Sequence, residues 1–139
     1  MDRELIEEKL EALRYCVQRV RSKCPRDEKQ LAQNADLQDI IGMNLARAVQ
    51  LSVDIAAHIL ADSDGRAPNT MAEAFEQLKA ASVLDEDTAD RMKKAVGFRN
   101  IAIHAYEKID WAVVHGICRH RLVDFERFAE AVVRATNHD

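Results

Sequence analysis

The stretch Leu37–Ile59, LQDIIGMNLARAVQLSVDIAAHI, decides the fold class of this chain. Its apolar side chains recur every three or four residues, which places them on one face of an α-helix. The members of this face are Leu37, Ile41, Leu45, Ala48, Leu51, Ile55 and Ile59. We therefore predict a long helix from about Glu28 to Ala61, stopped by the turn-forming run at residues 62–65.

Three residues interrupt this helix. Gly42 costs about 1 kcal/mol relative to alanine in a helix, so it predicts close packing or a kink. Asn44 and Ser52 are polar, and we expect them to make polar contacts where two helices meet.

Apolar and capping patterns indicate four further helices. One apolar seam, on a first helix ended by Pro25, consists of Ile6, Leu10, Leu13, Val17, Val20 and Cys24. Three later helices have side chains suited to N-capping at their starts, namely Thr70, Asp85 or Asp87, and Asp110. The pattern predicts an all-α fold, an antiparallel bundle of about five helices forming one domain over residues 1–139.

Composition excludes several other classes. Among 139 residues there are only four glycines and two prolines, too few turn formers for a β-sandwich or barrel. The chain also lacks a glycine-rich phosphate loop. Its net charge is −4, yet residues 91–139 carry 9 Lys and Arg against 6 Asp and Glu. This positively charged last third of the chain could bind an anionic partner, or its charges could simply be distributed over solvated helix faces.

Cysteine usage indicates a reducing compartment. The chain has an odd number of cysteines without CxxC spacing, namely Cys16, Cys24 and Cys118. No signal peptide or transmembrane run opens the chain. We expect a cytoplasmic protein with no membrane association, whose thiols are small buried hydrophobes.

Arg99 breaks the pattern of the fourth helix, because it falls near the middle of an apolar arc. That arc consists of Met92, Ala95, Val96, Phe98, Ala102 and Ile103. A buried arginine is costly unless it is paired. Three interpretations remain open: a snorkelling side chain or a bridge to Asp54 or Asp90, a face covered by a second subunit, or an anion site.

Two histidines lie one helical turn from a polar residue. Asn100 and His104 form one such pair, and His104 lies about 140° from Arg99 on a straight helix. The two could converge if the helix ends near His104, or if a second copy supplies one of them. Asp54 and His58 form the other pair, which is half of a metal site without an evident third ligand.

The run RNIAIHAY at residues 99–106 resembles the motif of the HEPN superfamily, specifically the HepT-type toxins of HEPN/MNT toxin–antitoxin pairs. That motif has an arginine, often a following polar residue, a spacer, a histidine and, in HepT proteins, a tyrosine two residues later. Here these are Arg99, Asn100, four intervening residues to His104, and Tyr106. The length, the opening helix and the long second helix are also similar to those of HepT proteins.

The resemblance implies a metal-independent endoribonuclease that needs no cofactor. Arg99 would hold the scissile phosphate of the RNA substrate, and His104 would move protons at the ribose and the leaving oxygen. Asn100 would orient the phosphate or His104. Members of the superfamily usually join two motifs at a homodimer interface, so Arg99 of one subunit could act with His104 of the other.

The resemblance also implies a partner, a small MNT-type nucleotidyltransferase antitoxin that attaches AMP to Tyr106. Steric masking of the cleft is the competing mode of neutralisation. Two other functions compete with the nuclease: a non-catalytic HEPN module that binds nucleotide, RNA or a transferase, and a purely structural bundle. The last of these does not explain Arg99.

Overall fold

A computed structural model describes residues 2–62 and 66–137, and that part of the chain is helical without any strand. It contains seven α-helices and one 3₁₀ turn. In chain order they are α1 Arg3–Lys23, α2 Glu28–Ala32, α3 Ala35–Leu60, α4 Met71–Ala80, α5 Glu86–His104, the 3₁₀ turn Tyr106–Lys108, α6 Trp111–His120 and α7 Leu122–Thr136. The all-α prediction is confirmed. Residues 63–65, predicted to help stop α3, lie outside the described residues.

The predicted helix from Glu28 to Ala61 is in fact two helices, α2 and α3. Asn34 begins α3, because its side-chain oxygen accepts a hydrogen bond from the backbone N–H of Leu37 at 3.0 Å. Gln38 Nε2 then donates to the last carbonyls of α2, those of Leu31 at 2.9 Å and Ala32 at 3.1 Å. These side chains satisfy backbone groups that a continuous helix would have paired internally, so the break is stable.

The predicted last helix is also split, at Arg121. This residue has a φ of −116° and a ψ of 2°, outside the helical range, and it separates α6 from α7. Its guanidinium donates to both oxygens of Asp124, at 3.0 and 2.6 Å. Asp124 is only 7% exposed, and this bidentate pair compensates its burial. The break lets α6 pack on α2 while α7 packs on α1 and α5.

The predicted starts of the later helices are confirmed. Thr70 accepts a hydrogen bond from the backbone of Glu73, so it caps α4. Asp85, rather than Asp87, caps α5 through the backbone of Thr88. Asp110 accepts from two backbone N–H groups at the start of α6.

The core surrounds α3, which packs against α1, α2, α4, α5 and α7. Its apolar face is buried, with Ile41, Leu45 and Ile55 at most 1% exposed. By length and composition α3 could cross a membrane, but more than half of its apolar window is buried inside the bundle. It is therefore the central helix of the core.

The residues that interrupt α3 have different roles. Asn44 Nδ2 and Ser52 Oγ each donate to a carbonyl of α3 itself, four residues earlier, at 2.8 Å. The expectation that they make contacts between helices is wrong, because back-bonding already satisfies them. Gly42, as predicted, marks close packing: an added Cβ would lie 3.5 Å from Trp111 and 3.7 Å from Tyr106.

The cysteines agree with a structural role. Cys16 and Cys118 are buried, as predicted, and Cys24 is partly buried. Burial raises the pKa of the Cys118 thiol to about 12, so this thiol stays protonated at neutral pH.

Candidate active site

A groove of about 500 Å³ runs between α3 and α5 and contains part of the sequence motif. Its lining residues are Asp39, Gly42, Met43, Ala46, Arg47, Gln50, Arg99, Ala102, Ile103 and Tyr106. Two of them, Arg47 and Arg99, carry positive charge. The groove therefore combines two cations and one carboxylate with apolar side chains, and its excess of positive charge suits an anionic ligand that also has apolar surface.

Arg99 projects into this groove from α5 and is held by amide oxygens. Its guanidinium donates to Gln50 Oε1 at 3.2 Å and to Asn100 Oδ1 at 3.3 Å. Both acceptors are neutral. Within residues 2–62 and 66–137, Arg99 has no carboxylate within salt-bridge distance, so its charge is available to an external anion.

Neither Asp54 nor Asp90 forms the bridge to Arg99 that one interpretation required, and each of these carboxylates has other partners. Asp90 lies 3.4 Å from Lys93 Nζ on the same helix. Asp54 lies 3.8 Å from Lys9 Nζ and accepts a hydrogen bond from Gln50 Nε2 at 3.0 Å. The pairing interpretation of Arg99 is therefore wrong.

Asp54 fixes the orientation of the Gln50 amide. An ionised carboxylate only accepts hydrogen bonds, so it takes the NH₂ end of the amide and leaves Oε1 facing Arg99. Asp54 thus belongs to a polar chain that runs from Lys9 on α1 to Arg99 on α5. Among the described residues, no three histidine, cysteine, aspartate or glutamate side chains lie together as a candidate metal site.

Tyr106 occupies the end of the groove. Its hydroxyl donates to Asp39 Oδ1 at 2.7 Å, and its ring packs edge to face with Trp111 at 5.8 Å between centroids. Burial raises the pKa of the Tyr106 phenol, and the hydrogen bond to Asp39 and its charge raise it further, to about 12. The phenol is therefore neutral at physiological pH.

Helix α5 ends before Tyr106, yet Tyr106 still shares a groove with Arg99. The helix stops at His104, Ala105 has a φ of −149° and a ψ of 49°, and a 3₁₀ turn begins at Tyr106. Gly42 lets the tyrosine ring lie directly against α3. The turn and this contact thus place Tyr106 in the same groove as Arg99, although Tyr106 is not part of α5.

His104 is exposed at the last residue of α5 and does not line the groove. Ending the helix at His104 therefore does not bring it to Arg99 within one chain. Asn100 is also exposed and contacts Arg99 rather than His104. Of the four predicted site residues, the chain brings Arg99, Asn100 and Tyr106 together and leaves His104 on a neighbouring face.

Three groove residues were missed in the sequence: Asp39, Arg47 and Gln50. All lie on α3 and recur at intervals of three to eight residues, as positions on one side of a helix do. This polar stripe runs beside the apolar face that defines the fold. The polar spacing is visible in the sequence, but only the packing of α5 against that side of α3 makes these residues the wall of a groove.

Exposed apolar side chains border the groove. Met43 is 64% exposed, Ile103 is 55% exposed and Tyr106 is 40% exposed. Large apolar side chains clustered around a polar cleft are typical of a surface that another molecule covers.

Most of the chain matches a known protein family. Residues 10–132 match the family described as Ribonuclease HepT-like. This chain belongs to that family, within the HEPN superfamily. The mRNA nuclease HepT of Shewanella oneidensis is 30% identical over 129 residues, covering 93% of this chain and 96% of the relative.

Solved structures of toxin–antitoxin complexes contain chains with the same fold. A tri-AMPylated Shewanella oneidensis HEPN toxin in complex with an MNT antitoxin has a TM-score of 0.87 and 31% identity, covering 97% of this chain and 99% of that chain. A toxin–antitoxin complex with AMP-PNP also has a TM-score of 0.87, at 30% identity, covering 95% of this chain and 98% of that chain. The HEPN resemblance inferred from residues 99–106 is confirmed.

The contact between Tyr106 and Asp39 predicts an altered phenol titration in Asp39→Asn. In a Tyr15→Phe background, Tyr106 should ionise with a pKa near 12. Asp39→Asn should lower this pKa, although burial should keep it above that of a free phenol. Because the pKa is higher in the folded chain than in the unfolded chain, the shift contributes to the free energy of unfolding. This contribution is complete below about pH 10 and is lost as the pH rises through the pKa of the folded chain.

Phenolate absorbance measures this titration, and circular dichroism marks the pH range in which the helices persist. An identical Tyr106 titration in the Asp39→Asn protein would show that the carboxylate does not contact the phenol in solution.

Proposed function

We propose that this HepT-like protein is a metal-independent endoribonuclease and the toxin of a type II toxin–antitoxin pair, acting on cytoplasmic RNA. One observation carries the proposal: the Arg99 guanidinium projects into an open groove, oriented by Gln50 and Asn100, and no carboxylate in the described part of the chain lies within salt-bridge distance of it. A cation preorganised in this way suits the phosphodiester of RNA. Membership in a family of ribonucleases supports the same activity.

Arg99 binds the scissile phosphate in this proposal. A guanidinium can contact two phosphate oxygens at once and can stabilise the charge that develops on them during cleavage. Arg47 adds a second cation to the same groove. Asn100 lies beside the guanidinium and helps to orient it or the phosphate.

His104 is the proton-transfer group. An imidazole titrates near neutral pH, so it can accept the proton of the ribose 2′-hydroxyl or protonate the leaving 5′-oxygen. Attack of the 2′-oxygen on phosphorus needs no metal and produces a 2′,3′-cyclic phosphate.

The active site is composite, formed at a homodimer interface. Arg99 and His104 lie on different faces of α5, about 140° apart. A second copy packed on the groove would bring its own His104 toward Arg99 and would cover Met43 and Ile103, which are largely exposed in one chain. A two-fold axis near α5 would create two such sites.

Arg99→Ala and His104→Ala should each abolish RNA cleavage measured in EDTA, with the loss of 2′,3′-cyclic phosphate products. Both side chains lie at the surface rather than in the core, so helicity and melting temperature should barely change. Arg119→Ala and His120→Ala are matched controls, since both are exposed near the end of α6.

A strict requirement for added divalent metal would contradict the proposed chemistry. A purified protein that binds RNA or nucleotide without cleaving RNA would instead identify a non-catalytic HEPN module.

Mixing the two inactive variants tests the composite site. When Arg99→Ala and His104→Ala subunits exchange, half of the dimers are mixed, and each mixed dimer holds one site with both residues intact. About a quarter of the wild-type activity should therefore return. No recovery after demonstrated subunit exchange, or a stable monomer in sedimentation, would refute a composite site.

Neutralisation is proposed to come from an MNT-type nucleotidyltransferase that attaches AMP to Tyr106. The tyrosine is 40% exposed at the end of the Arg99 groove. A tethered phosphodiester there would bind the guanidinium and exclude RNA. The Shewanella oneidensis HEPN toxin, a related chain, is tri-AMPylated, which supports AMP attachment as the mode of neutralisation.

Tyr106→Phe should abolish AMP incorporation during coexpression with the transferase and should lose much of the protection, while keeping some ribonuclease activity. Tyr15→Phe, which removes the chain's other tyrosine, is the control and should be modified normally. Intact-mass spectrometry measures both. An unmodified Tyr106 in a fully neutralised complex would support steric masking instead.

A further inference from the structure

The hydrogen bond between Tyr106 and Asp39 joins a reactive hydroxyl to a carboxylate of the same chain. The Oη–Oδ1 distance is 2.7 Å. Because a carboxylate oxygen accepts hydrogen bonds, the hydroxyl is the donor in this contact. Gly42 and Trp111 pack against the tyrosine ring, so the hydroxyl has a fixed position relative to Asp39. The Asp39 side chain is exposed, and the phenol is accessible from solvent.

The geometry points to Asp39 as the general base for adenylylation of Tyr106, a catalytic group that the toxin itself supplies. The inference rests on the proposed modification of Tyr106 and adds the route of its proton. The partner transferase then needs to supply only the nucleoside triphosphate, its divalent metal and the approach of the α-phosphate.

The step is a nucleotidyl transfer, in which AMP moves from ATP to the tyrosine oxygen. The Tyr106 Oη attacks the α-phosphorus of ATP, and an Oη–P bond forms. The bond from the α-phosphorus to the bridging oxygen breaks, and pyrophosphate leaves with the electron pair. The phenolic proton moves to Asp39 Oδ1, which later releases it to water.

The environment of the phenol requires such an acceptor. With a pKa of about 12, Tyr106 carries its proton at neutral pH, so the proton has to leave during the attack. Arg99 lines the same groove and could bind the transferred phosphate there. The groove thus has a proton acceptor at one end and a cation for the product further along.

Three variants test the inference in reactions of the purified chain with its transferase, ATP and Mg²⁺. Asp39→Asn keeps an oxygen that can accept the phenol hydrogen bond but removes the base, whereas Asp39→Ala removes both. Asp36→Asn, one turn earlier on α3 and exposed, is the matched control. Initial rates of AMP incorporation are followed by intact-mass spectrometry, and melting curves verify the fold.

We expect both Asp39 variants to be modified about 100-fold more slowly or worse, with an unchanged KM for ATP, and Asp36→Asn to react at the wild-type rate. Asp39→Asn at the wild-type rate would overturn the inference, even if Asp39→Ala were slow, because Asp39 would then only position the phenol. A deficit that vanishes at saturating transferase would overturn it in favour of a docking role. Absence of AMP from wild-type Tyr106 would refute the proposed modification itself, and this inference with it.

Discussion

Burial of the apolar face of α3 is the interaction on which the rest of the structure depends. This helix contacts five other helices. The fully buried isoleucine and leucine side chains along it each contribute roughly 1.5–3 kcal/mol through removal of apolar surface from water. Since α1, α4, α5 and α7 all pack on α3, its position determines theirs. The adjacent side of the same helix then becomes one wall of the groove.

The α3 wall of the groove both packs against other parts of the chain and positions Arg99. Gly42 allows Tyr106 and Trp111 to approach the α3 backbone, and Gln50 holds Arg99 through a neutral amide. Asp54 accepts from that amide and has Lys9 near its carboxylate, and Asp39 accepts from Tyr106. Among the described residues, no acidic side chain forms a salt bridge with the guanidinium. Arg99 is thus tolerated within an apolar arc and still keeps its charge for an anion.

Much of the fold could be predicted because its signals are local. Apolar spacing identified the helices, and the side chains of Thr70, Asp85 and Asp110 cap them as expected. The two helix breaks could not be predicted as well. Neither Asn34 nor Arg121 is a strong helix breaker, and each break depends on side-chain partners and on which helices the two halves pack against.

The sequence by itself determined the all-α class and the family, because residue types and spacings are local properties of the chain. It also made Arg99, Asn100, His104 and Tyr106 the candidate site residues. Only the tertiary structure decided which of them meet. The packing of α5 on α3 adds Asp39 and Gln50 to the groove, and the end of α5 leaves His104 outside it. The Arg99–Gln50 and Tyr106–Asp39 contacts join residues that are 49 and 67 positions apart in the chain. Such contacts depend on how whole helices pack, which local sequence patterns do not encode.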